Sequence, residues 1–210
     1  MSMHATLTDQ VYDHVVRQLL SRRLRPGDVV DRKSIAKELK VSLIPVSDAV
    51  LRLTHEGFLT TRRRKGTFVQ SPSIEDVRGQ FLLREAIECQ CARLYCGRRL
   101  NAEKSRLTGL AKEVDRVTAL GLPNCKEDFA FHLAMVELTE CDPLIRCFKQ
   151  VVHLSLFHEV ALISPPHLES YDNHVALLND LCQADPDQAE ARIRRSNRMG
   201  KESFLKGIEI

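Results

Sequence analysis

In the first third of the chain, the apolar positions fall into three short helical stripes. Leu7, Val11, Val15, Val16, Leu19 and Leu20 recur at helical spacing, with Thr6 or Thr8 able to cap the start. Arg25-Pro26-Gly27-Asp28 ends that stripe as a turn. Asp31 then caps a short helix whose inner face is Ile35, Ala36 and Leu39. After a break at Val41-Ser42, Ser42 caps a third helix running to about His55, with Val46, Ala49, Val50 and Leu53 inward. Pro45 falls in its first turn, where a missing N–H costs little, and Gly57 stops it. The pattern then changes to strand: Phe58-Leu59-Thr60-Thr61 and Thr67-Phe68-Val69 read as a hairpin joined by Arg62-Arg63-Arg64-Lys65-Gly66.

No strand-like alternation follows Val69. Ser73 with Asp76 resembles a capping box opening a long helix lined by Val77, Phe81, Leu82, Ile87, Ala92 and Leu94. Asn101 caps a second helix through Leu107, Leu110 and Val114, and Asn124 with Glu127 caps a third. Asp142-Pro143 opens a fourth, closed by Pro165-Pro166; a fifth runs through Leu177, Leu178 and Leu181. Asp185-Pro186 with Gln188 opens a sixth, ending near Leu205. The fold expected is mainly α: an N-terminal winged helix-turn-helix with a small β-hairpin over 1–72, then an all-α bundle of about six helices over 73–210. The linker around Ser71-Pro72-Ser73 is short.

Charge sharpens that division. The chain's 210 residues carry a formal net charge of +3, but residues 1–72 hold 13 Lys+Arg against 7 Asp+Glu, and the remainder is mildly acidic. A basic first domain suits a polyanion partner. The seven cysteines include no CxxC pair, which argues against a disulfide framework or a zinc ribbon and for reduced thiols in a cytoplasm. No apolar run is long enough to span a membrane, and Met1-Ser2-Met3-His4 opens no secretory signal. Aromatic residues are 5% and Trp is absent, so a stacking platform for single strands is not expected.

A winged helix-turn-helix suits duplex DNA. Its third helix fits the major groove, and the cationic tip Arg62, Arg63, Arg64, Lys65 and Gly66 can grip phosphate. In the bundle, Asp128 and His132 stand four apart, on one face of one helix, a workable spacing for two ligands of one metal. His174 sits on a later helix. Read alone, these three are as compatible with hydrogen-bonded core residues as with a metal site.

The order Pro26-Gly27-Asp28, Ile35-Ala36, Val41-Ser42, Pro45-Val46, Ala49-Val50, Leu53, Glu56-Gly57-Phe58-Leu59 and Gly66-Thr67-Phe68-Val69 resembles the N-terminal domain of GntR-type transcription regulators. The later block is similar to the FCD-type bundle of the FadR subfamily, through Leu83-Arg84-Glu85-Ala86-Ile87-Glu88, the Asp128/His132 pair, His174 and the Asp185 start. The resemblance implies a homodimer that binds operator DNA through Arg32, Ser42, Leu43, Ser47, Arg52 and the tip from Arg62 to Gly66. It also implies a divalent metal, zinc or nickel, on Asp128, His132 and His174. A small organic acid effector is expected near Arg84 and Ser196.

The chain departs from that pattern twice. Leu43 and Ser47 stand where such proteins carry arginines, and Ser196 stands where a fourth ligand, a His, is expected. His153 and His158 precede it, but five apart they leave different sides of a helix. The leading expectation is a repressor, not an enzyme. The competing readings are a metal-dependent enzyme housed in the bundle, or a relative that has lost sequence-specific DNA binding.

Overall fold

Thr6 fixes where the first helix begins. In the computed structural model, which describes residues 6–121, 124–162 and 172–199, the Thr6 hydroxyl accepts from the Asp9 amide at 3.1 Å and the Asp9 carboxylate accepts from the Thr6 amide at 3.1 Å. This reciprocal box opens α1 (Leu7–Leu20), which buries Val11, Tyr12, Val15, Val16 and Leu19. Leu7, expected inward, is exposed at the helix's first position. Asp31 caps α2 (Arg32–Leu39) through the amides of Lys33 and Ser34, at 2.9 and 3.3 Å.

Ser42 precedes α3 (Leu43–His55) as expected, but its side chain makes no capping bond. A capping oxygen takes the amide of the second or third helical residue, and the third here is Pro45, which has no N–H. The inward face of α3 is Val46, Ala49, Val50 and Leu53, and α1 packs against it. Gly57, at φ +89°, lets the chain leave the helix.

Strands β1 (Leu59–Arg62) and β2 (Gly66–Val69) pair antiparallel, with Leu59 opposite Val69 and Arg62 opposite Gly66. Spacing alone does not reveal a third edge. The Val30 amide donates to Thr67 O at 2.9 Å, and the Val69 amide donates to Asp28 O at 2.9 Å, so residues beside the Pro26-Gly27 turn line β2. That segment is too short to show a two-residue alternation.

The later region holds seven helices among the described residues: α4 (Ile74–Tyr95), α5 (Arg98–Ala102), α6 (Lys104–Ala119), α7 (Cys125–Glu137), α8 (Asp142–Leu162), α9 (His174–Gln183) and α10 (Pro186–Arg198). The count exceeds six because Gly97, at φ +69°, cuts the short α5 from α4. Asn101 lies inside α5 rather than capping the next helix; its amide donates to Gly97 O and Cys182 O, at 2.9 and 2.7 Å. Asn124 does precede α7, but its side chain donates to Thr118 Oγ1 at 2.7 Å and caps nothing. Asp185 and Gln188 form the expected box at α10. The Pro165-Pro166 stop and the end near Leu205 lie outside the described residues.

In this region α4 lies along α10, while α6 packs on α7 and α9, and Leu177 and Leu181 are fully buried. The chain forms two compact units. One runs to Ser73 and includes the stretch that begins at Leu156; the other starts at Ile74 and includes the last helices. No helix among the described residues is long and apolar enough to cross a membrane.

Candidate metal centre and nucleic-acid interface

The inner face of α4 is not the one its hydropathy suggests. Val77, Phe81 and Ala92 are buried, but Leu94 is exposed and Leu82 and Ile87 are only half-buried. Between them the buried positions include, beside Cys89 and Cys91, the charged residues Arg84, Glu85 and Glu88. A helix can bury such charges only when each finds a partner. Glu85 is gripped from α10, by Arg194 Nη1 at 2.7 Å and by Arg198 Nε and Nη2 at 2.7 and 2.9 Å. Arg84 donates to Glu88 Oε1 at 2.6 Å and to Asp128 Oδ2 on α7 at 3.0 Å.

That second bond leads to the candidate centre. Asp128 Oδ1 lies 3.2 Å from His174 Nε2 and 3.5 Å from His132 Nε2. The three residues offer ligand atoms all within 4.8 Å of one another. Donors about 2.0–2.2 Å from a tetrahedral zinc stand roughly 3.3–3.5 Å apart, so the separations at Asp128 suit one ion. Both imidazoles are aimed by carboxylates on their far sides. Asp115, on α6, lies 3.0 Å from His174 Nδ1 and also accepts the His174 and Val175 amides at 2.9 and 3.2 Å. Glu88 Oε2 lies 2.8 Å from His132 Nδ1. That contact is an ion pair by distance and is not aligned as a hydrogen bond. Carboxylate-backed imidazoles of this kind direct Nε2 toward a metal, so the residues present fit a divalent ion.

The electrostatics follow from burial and pairing. Burial alone would depress the His132 imidazole, but the Glu88 and Asp128 carboxylates outweigh it and push it up to about 9. Burial would raise Glu88, yet His132 and Arg84 pull it down to about 2. Asp128 is held well below the usual carboxylate range against its own burial, by His132 and Arg84 and by bonds from both histidines.

The remaining candidates are placed less directly. Arg84 is buried and engaged by two carboxylates, so it holds Asp128 rather than facing solvent. Ser196 hydrogen-bonds Asp172, whose carboxylate also pairs with Arg192 Nη1 and Nη2 at 2.5 and 3.0 Å, and it contributes no atom to the three-residue cluster. The His153 ring packs on Phe129 at 5.3 Å between centroids, and the His158 side chain lies outside the described residues. Sequence reasoning does not find Glu88 and Asp115 as members of this site. Glu88 stands inside the motif that resembles the family, without a role; nothing in the pattern of α6 singles out Asp115.

In the first unit, Ser42, Leu43, Arg63, Arg64, Lys65 and Gly66 are exposed, and Ser47 is half-buried. Arg62 lies over the Phe68 ring at 5.0 Å, and Arg32 donates to Thr67 Oγ1 at 3.2 Å, which ties both cations to β2. Arg52 is the least free. It sits over Tyr12 at 4.0 Å and donates to Glu56 at 3.0 Å and to Asp9 at 3.3 Å. Tyr12 itself donates to Glu56. These contacts make Arg52 a brace between α1 and α3, with its side chain still half exposed.

Comparison with known proteins agrees with both units. The chain is 31% identical over 133 residues to the Nta operon transcriptional regulator of Aminobacter aminovorans, covering 63% of this chain and 63% of that one, so it spans under two thirds of this relative. It is 24% identical over 196 residues to the HTH-type transcriptional repressor RspR of Escherichia coli, covering 88% of this chain and 82% of that one. The structure of E. coli McbR/YncC shares the fold at a TM-score of 0.73, with 20% identity, over 98% of this chain and all of that one. The family of bacterial regulatory proteins called gntR matches residues 7–69, and the FCD domain matches residues 81–198, more than half the chain. The chain belongs to the FCD family, with a gntR-family domain preceding the FCD domain.

Proposed function

We propose that this chain is a one-component transcription regulator without catalytic activity. Residues 1–72 bind operator DNA, and residues 73–210 sense a small organic acid and form a homodimer. The observation that carries the reading is the joining, in one chain, of a winged helix with an exposed Arg63-Arg64-Lys65 tip to a bundle that gathers Asp128, His132 and His174. The RspR relative is named a repressor, which favours repression here.

A zinc or nickel ion on Asp128, His132 and His174 would supply Lewis-acid positions for a carboxylate. The chain's own residues do the rest. Glu88 and Asp115 orient the imidazoles, and Arg84 holds the second oxygen of Asp128, leaving Oδ1 toward the ring nitrogens. Ser196 adds no imidazole, which leaves room for water or effector. Effector binding then favours one dimer geometry, and that geometry fits two operator half-sites better or worse.

The test uses the purified full chain, its metal content measured by mass spectrometry, and its binding to the DNA upstream of its own gene measured by band shift. The reading requires sequence-specific binding, and a shift in affinity when metal is removed by chelator or when small carboxylates are added. Absence of any specific DNA binding would overturn it.

A further inference from the structure

The outward face of α3 is apolar where a groove-reading helix could carry donors. Leu43, Ser47 and Leu51 follow one another at four-residue spacing, with Ile44 beside them. Leu43 is 47% exposed, Ile44 73% and Leu51 58%. The opposite face of α3 is already buried, so the fold leaves these side chains without a partner. Around them the domain is cationic: Arg32, Lys33 and Lys37 on α2, Lys40 in the turn before α3, and Arg62 to Lys65 on the hairpin are all exposed. An apolar centre with a cationic rim complements one surface in particular. The DNA major groove has phosphate walls, and its base edges present a single apolar group, the thymine C5-methyl.

We propose that Leu43 and Ile44 read thymine methyl groups, so that A·T pairs with thymine toward α3 mark each half-site. This rests on the DNA-binding reading above. The two residues occupy the first turn of α3, and the N-terminal turn of a recognition helix meets base edges. No Lys or Arg stands among the first nine residues of α3, so guanine O6 and N7 find no bidentate donor on this helix. Asp48, exposed near the same face, is an acceptor and disfavours those guanine acceptors further. Ser47 can hydrogen-bond either base type and adds little discrimination.

The experiment separates the methyl from everything else about the base. Duplexes are selected by the full chain from a random-sequence pool, and the selected duplex is resynthesised with deoxyuridine replacing one thymine at a time. Uracil pairs as thymine does and lacks only the methyl. Removing one buried methyl should weaken Kd by about 4-fold at each thymine read. A Leu43→Ala/Ile44→Ala variant should bind the thymine and uracil duplexes equally. Both positions are exposed, and circular dichroism checks that the variant is folded. Indifference of the parent to every uracil overturns the thymine reading while leaving sequence-specific binding intact. If the pool yields no preferred sequence, the DNA-binding reading fails with it. A double variant that keeps its DNA preference but changes oligomeric state assigns the face to protein contact, which also overturns the proposal.

Discussion

The two units of this chain treat charge in opposite ways. The first buries no charged side chain among its described residues; its cations are on the surface, and it leaves Leu43, Ile44 and Leu51 exposed. The second buries Arg84, Glu85 and Glu88 on one helix, together with His132 and His174. Each arrangement costs free energy in the isolated fold. In the second unit that cost is offset internally, because every buried charge meets an opposite one. In the first it is left for a partner to recover. Unpaired features on a surface point to what binds there, while paired charges in a core hold a site in shape.

Removing a charge from α4 is expected to have the largest effect. Arg84→Ala leaves buried Glu88 and half-buried Asp128 sharing only His132 as a counter-charge and should cost about 3–5 kcal/mol of stability. Urea denaturation of the second unit measures it. Leu43→Ala, by contrast, should change stability by less than about 0.5 kcal/mol. Equal losses would dissolve the contrast between the units.

The hairpin tip comes next. Replacing Arg62, Arg63, Arg64 and Lys65 with Ala should weaken DNA binding about 100-fold at low salt. It should also flatten the salt slope by about 0.9 for each phosphate that is no longer neutralised. Titration at several salt concentrations reads both. An unchanged slope would mean that these cations do not meet phosphate.

The buried pair also sets a pH window. His132 is raised to about 9, so its stabilisation is complete below its unfolded value of 6.5 and is lost as pH rises through 9. Glu88 is lowered to about 2, so its share is complete above 4.5 and is lost as pH falls through 2. In chelator-treated protein, the second unit should be most stable between those limits, with a loss on the order of 2–3 kcal/mol by pH 10. Glu88→Gln should flatten the alkaline limb, as followed by thermal melts across pH.

The smallest expected effect is at Ser196. Ser196→His should tighten zinc or nickel about tenfold and, with added metal, raise stability by about 1.4 kcal/mol through mass action. His132→Ala should abolish any metal-dependent shift. A midpoint indifferent to metal in both the parent and Ser196→His proteins would remove the metal from the site.

The same contrast explains what is legible in the sequence. In the first unit every buried helix position is non-charged, and the periodic apolar stripes of α1 and α3 and the hairpin can be read from spacing, even though Leu7 and the outward face of α3 stay exposed. In α4 polarity and burial disagree. A hydropathy reading turns Leu82 and Leu94 inward, whereas ion pairs to Arg194, Arg198 and Asp128 hold Glu85 and Arg84 there. Pairings across 44 to 113 positions of sequence leave no local pattern. The caps divide on similar lines. Asp31 and Asp185 bond the nearest free amides, but Asn101 and Asn124 find better partners in Cys182 and Thr118, which packing supplies. Asp128 and His132 are visible as a pair because one helix carries both. Asp115 is invisible because its role is defined only by where α9 starts.

Asp115 has a kinetic consequence. One carboxylate engages the His174 ring and the first two amides of α9 together. The imidazole therefore cannot swing aside without disturbing the end of its own helix. For an ion held at Nε2, the escape rate would be governed by fraying of the first turn of α9 rather than by breaking one coordination bond. Hydrogen exchange at the His174 and Val175 amides and the rate of metal release to a chelator should then run on one clock, and Asp115→Asn should quicken both.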